Sequence, residues 1–152
     1  MKRLSIYILT ILLGIFWMLS DTMDAKAQQS KKIILAGYKH KPPVSTTGSG
    51  MATVTLHGDT LTVKGKFEDL SANYSGAYLM VTIRGQGGNQ LYRLKVELNE
   101  EKTGGKLIGK QNRFVLSPAQ KALLRKGELY IIISSFENQK GELRGNIGTL
   151  GE

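Results

Sequence analysis

From Ala52 to Glu68 apolar and polar residues alternate with a period of two. Ala52, Val54 and Leu56 alternate with Thr53 and Thr55; beyond His57-Gly58-Asp59, the positions Leu61, Val63, Gly65 and Phe67 alternate with Thr62, Lys64, Lys66 and Glu68. Successive side chains of a strand point to opposite faces, so this spacing predicts a hairpin turned at Gly58-Asp59 with Lys64 and Lys66 in water. Tyr92, Leu94, Val96 and Leu98, alternating with Arg93, Lys95 and Glu97, predict another half-buried strand. Ala77 to Arg84 is apolar on both phases except at Thr82, which predicts a strand covered on both faces. Leu129 to Ile133 is an apolar run suited to a central strand, and Leu143, Gly145 and Ile147 alternate with Glu142, Arg144 and Asn146 in a final one.

Weaker signals complete the outline. Ile33 to Gly37 reads as a short first strand ended by Pro42-Pro43, and Gln28 to Lys32 before it as a loose polar leader. Lys106 to Leu116 reads as one strand broken at Gly109 and Asn112, while Gly85 to Asn89 is a turn. One helix is marked by Ser117 as cap, Pro118 at the first helical position, Gln120 closing a capping box and Gly127 as stop. Its Ala119, Leu123 and Leu124 are suited to packing, and Lys121, Arg125 and Lys126 to water. Short antiparallel strands with one helix predict an all-β sandwich over residues 33–150.

The N-terminus follows a different pattern. Lys2 and Arg3 precede an apolar run from Leu4 to Leu19, and Ala25-Lys26-Ala27 follows. This predicts a signal peptide over residues 1–27, cleaved between Ala27 and Gln28, and a secreted or periplasmic product with no remaining transmembrane segment. The 152-residue chain carries 21 Lys and Arg against 12 Asp and Glu. Removing residues 1–27 leaves 18 against 10, so the excess of +8 belongs to the exported domain.

Cysteine is absent, which excludes disulfides, thiol nucleophiles and Cys-based metal centres. Thr47-Gly48-Ser49-Gly50 lacks the spacing of a nucleophile elbow, and Gly85 to Gly88 lacks the Lys-Ser/Thr of a phosphate loop. Glu97, Glu100 and Glu101 flank lysines in a loop and read as solvated charges. The two histidines, His40 and His57, stand in separate turns. No catalytic residue, metal site or cofactor is expected.

Several segments in order resemble the chordin-type (CHRD) domain. Leu35-Ala36-Gly37 with Pro42-Pro43-Val44, Leu56-His57-Gly58-Asp59-Thr60-Leu61, Leu70-Ser71, Ser117-Pro118-Ala119-Gln120, Gly127-Glu128-Leu129-Tyr130 and Gly141-Glu142-Leu143-Arg144-Gly145-Asn146-Ile147 carry the likeness. The resemblance implies a secreted Greek-key β-sandwich that binds rather than catalyses. It also exposes departures. Leu79-Met80-Val81 stands where the family often has His-x-His, and Ser134 where it has a third histidine. The alternative of a metal-binding or copper/zinc oxidoreductase-like protein is disfavoured on that ground.

Two charged groups are the candidate sites. Glu142 and Arg144 fall on one strand phase and read as an ion pair or backbone clamp at the sandwich edge in preference to a ligand contact, with Gly141 and Gly145 allowing close approach. Lys39 and Lys41, with Lys121, Arg125 and Lys126, form a candidate basic surface. The partner expected is an extracellular protein or anionic polymer. Specific nucleic-acid recognition is not expected, because Tyr38 and Tyr78 make no aromatic ladder.

Overall fold

The computed structural model describes residues 28–82 and 87–151. The signal segment, residues 1–27, and part of the expected turn, Gly85 and Gln86, lie outside the described residues. Ten antiparallel strands form a single sheet in the order β5-β4-β9-β10-β1-β2-β3-β7-β6, with β8 also on β3. The first strand, β1 (Gln29–Ala36), pairs along its length with β2 (Ser49–His57), from Gln29↔Leu56 to Ala36↔Ser49. The chain turns at Gly58-Asp59 into β3 (Thr60–Glu68), with Val54 opposite Val63 and Leu56 opposite Leu61. These inward residues are buried and Lys64 and Lys66 are exposed, as the alternation predicts.

All but the first of the residues expected to be a loose leader are strand instead. Gln29 to Lys32 pair with Thr53 to Leu56 in β2, so pairing supplies the order that their composition does not. Beyond β1, a 3₁₀ turn at Gly37–Lys39 leads into the Pro42-Pro43 loop, in which the Lys41–Pro42 peptide is cis.

The second half of the sheet is built around β9 (Leu129–Ser135), every residue of which is buried. It lies between β4 (Tyr74–Val81) and β10 (Leu143–Asn146), with Leu79 opposite Ile131 and Gly145 opposite Ile131 on the other side. Ala77, Leu79 and Val81 of β4 are buried in the core, but Tyr78 and Met80 on its other face are only half-buried. That face is therefore not under a second packed layer, contrary to the expectation from its apolar run.

The strand expected over Tyr92 to Leu98 is two. β5 (Gln90–Arg93) pairs with β4, whereas β6 (Val96–Leu98) pairs with β7 (Gly105–Leu107). The break at Leu94-Lys95 has a specific cause, the buried Asn112 side chain, which accepts from the Lys95 amide at 2.8 Å and donates to its carbonyl at 2.9 Å. Since β5 and β6 are the two ends of the strand order, the sheet curls until its ends meet at those two residues. The broken strand expected over Lys106 to Leu116 likewise resolves into β7 and β8 (Arg113–Val115), both on β3.

Helix α1 (Pro118–Arg125) begins as predicted, with a full capping box between Ser117 and Gln120. Leu124 is fully buried and anchors it, but Ala119 is exposed and Lys121 is not free in water. Among the described residues no helix is long and apolar enough to cross a membrane.

Candidate functional site

The final strand and its preceding turn place two charges one residue apart in different surroundings. Glu142 is fully buried. Its Oε1 accepts from the Ser71 amide at 2.7 Å, the Ser71 hydroxyl at 2.9 Å and the Thr46 hydroxyl. Thr46 Oγ1 in turn accepts from the Gly48 amide at 2.8 Å. One carboxylate thus ties the loop after Pro43, the connection at Leu70-Ser71 and the start of β10. Burial alone would raise its pKa; hydrogen bonds from Ser135, Thr46 and Ser71 outweigh that and hold it below the usual value. The second oxygen, Oε2, makes no well-formed hydrogen bond, although the Ser135 hydroxyl faces the carboxyl.

Gly141 makes this geometry possible. Its φ of +122° is a conformation L side chains rarely adopt, and a Cβ there would lie 2.6 Å from His40 Cε1. Gly145 admits a different neighbour, since a Cβ would stand 2.5 Å from Leu35 Cδ2. The close approach expected at both glycines is what the fold uses.

Arg144, opposite Ile132 in β9, leaves the interior. Its guanidinium lies 3.8 Å from the centre of the Tyr130 ring, and its Nε donates to Asn146 Oδ1 at 3.1 Å. Tyr130 is itself held, its hydroxyl accepting from the Gly88 amide at 3.1 Å. No ion pair joins Glu142 and Arg144: the first is an internal clamp, the second a surface cation.

Arg144 stands in a groove of about 900 Å³ on the outer face of β4, β9 and β10. Met80, Tyr130 and Ile132 supply apolar surface, and Lys39, His40, Lys41 and Pro42 come from the loop after β1. Lys140 enters from the turn before β10, and Gly127 from the end of α1. None of the described lining residues is acidic. His40 is held below its usual pKa, first by burial and also by the nearby Arg144 charge, against the opposing effect of a hydrogen bond to the Leu143 backbone.

The five cations expected as one basic surface divide between two places. Lys39 and Lys41 reach the groove; Lys39 also donates to the Ile34 carbonyl at 2.9 Å. Lys121 instead forms an ion pair of 2.6 Å with Asp59, in the β2–β3 turn, and Arg125 Nε donates to the Gly151 carbonyl at 2.8 Å. Lys126 is exposed beside Gly127. Sequence reasoning missed Lys140 and Tyr130. Lys140 stands immediately before the Gly-Glu-Leu-Arg-Gly segment, which is the one local hint of its place.

The residues expected to replace family histidines are also located. Leu79 and Val81 point into the core, and Ser134 is buried with its hydroxyl unpartnered. Among the described residues no three His, Cys, Asp or Glu side chains converge as a metal-binding group.

The described residues thus form a curled antiparallel sheet with a cationic groove on one outer face. The family model of the CHRD domain matches residues 32–147, and the chain belongs to that family, one associated with extracellular binding modules. No curated protein and no solved structure shows significant similarity to the chain.

Proposed function

We propose that the protein is an exported, non-enzymatic binding module that presents the groove to an anionic ligand outside the cytoplasm. The observation that carries this reading is the lining itself. Lys39, Lys41, Lys140 and Arg144 share one concave surface with no acidic residue among its described lining. Such a surface concentrates positive potential where a ligand would sit. The signal-like N-terminus and the family's association with extracellular binding support the location and the class.

Retention of the mature protein on immobilised heparin, used as a probe of potential rather than as the ligand, tests this across a salt gradient. Wild type should be retained at low ionic strength and released as salt screens the groove. The variant K39Q/K41Q/K140Q should elute much earlier, and K121Q/R125Q/K126Q close to wild type. Absence of retention at low salt would overturn the reading, as would a helix variant that eluted earlier than the groove variant.

A further inference from the structure

The groove's cations differ in how they are held. Lys41 and Lys140 are exposed side chains, and an ammonium on a flexible stem is a hydrated point charge. Arg144 is fixed at two points, over the Tyr130 ring and through Nε to Asn146. Among the described residues no acceptor bonds its terminal Nη nitrogens, so the planar fork is oriented and its donors are unspent. The ordering that a ligand would otherwise impose on the side chain is already in place. Such a fork matches the two oxygens of a carboxylate, phosphate or sulfate. Beside it lie Met80, Ile132 and Pro42, which offer an anion nothing but offer apolar surface to whatever carries it.

We propose that Arg144 is the seat for a single oxyanion, a carboxylate or a phosphate or sulfate monoester, borne on an apolar body that lies along Met80 and Ile132. This rests on the anionic-ligand reading above and narrows it from a field to one contact. The lysines draw the ligand in; Arg144 orients it. His40 also lines the groove, but its Nε2 is buried, so that nitrogen does not face a ligand there.

Decanoate, decyl phosphate and decyl sulfate, each below its micelle-forming concentration, are titrated into the mature protein by calorimetry, with decanamide as the uncharged control. The decyl anions should bind and decanamide should not, and the tightest of the three identifies the headgroup. R144Q should weaken binding by roughly 30-fold and R144K by roughly tenfold, because lysine restores charge without the fork. N146A, which frees Nε, should cost about threefold, and K41Q or K140Q about twofold each. Thermal melts establish that each variant is folded; if R144Q is not, R144K and N146A carry the test. Equal binding of decanamide, full affinity in R144K, or a larger loss in the lysine variants than at Arg144 would overturn the assignment. Heparin retention without binding of any decyl anion would sink this inference and leave the broader reading standing, whereas failure of both would sink both.

Discussion

The helix and the groove carry the same kind of charge and use it differently. On α1, Lys121 is paired with Asp59 and Arg125 is hydrogen-bonded to Gly151, so much of that basic character serves to hold the helix and the C-terminal segment on the sheet. In the groove Lys41, Lys140 and Arg144 line one concave surface whose described lining holds no carboxylate. Net charge therefore says little about where an anion goes. The same contrast is compressed into Gly141 to Gly145, where Glu142 is consumed by internal donors and Arg144 is left oriented outward.

The sharpest way to break that contrast is to remove the internal charge. Glu142→Ala should destabilise the fold by about 3 kcal/mol, because the Ser71 amide and two hydroxyls lose their acceptor in a buried site. Urea denaturation measures the loss, and the fraction still folded should keep wild-type retention on heparin. A reduced affinity there would mean the two charges are coupled after all.

Acid supplies a graded version. Both Glu142 and His40 have folded-state pKa values below their ordinary ones of 4.5 and 6.5, so each contributes stability that is present above the ordinary value and lost as pH falls through the folded one. Wild type should weaken first below 6.5 and again below 4.5. Glu142→Gln should lack the second step and His40→Gln the first, as followed by urea midpoints across pH. A Glu142→Gln profile parallel to wild type at every pH would contradict the assignment.

The smallest effect belongs to the helix. Lys121→Gln removes a partly exposed ion pair and should cost only about 0.5 kcal/mol, with no change in heparin elution. A shift in elution comparable to that of the groove variant would erase the distinction between the two regions.

What could be read from the chain depended on the range of the interaction. The β2–β3 hairpin and the α1 cap are specified by residues within a few positions of one another, and Val54, Val63, Ser117 and Gln120 do what their spacing predicts. Gln29 to Lys32 show no strand pattern because their order comes from β2, and the break at Lys95 comes from Asn112, 17 positions away. The groove is harder still to foresee. Lys39, Tyr130 and Arg144 meet only because β10 lies between β9 and β1, and the motif around Glu142 and Arg144 suggested a mutual pair where the fold gives each a separate partner.

That placement of β9 and β10 also governs how the molecule must acquire its shape. The strands that connect β4 to β1 are the last to be synthesised, so a chain emerging N-terminus first has most of its strands before it has the two that unite them. Pairings that close such long loops raise contact order and slow folding. Until Leu143 to Asn146 arrive, the Ile33 and Leu79 sides of the core are joined only at the other end of the sheet, through the Leu94-Lys95 link between β5 and β6. A chain truncated before β10 should therefore remain open to extension and to binding by chaperones.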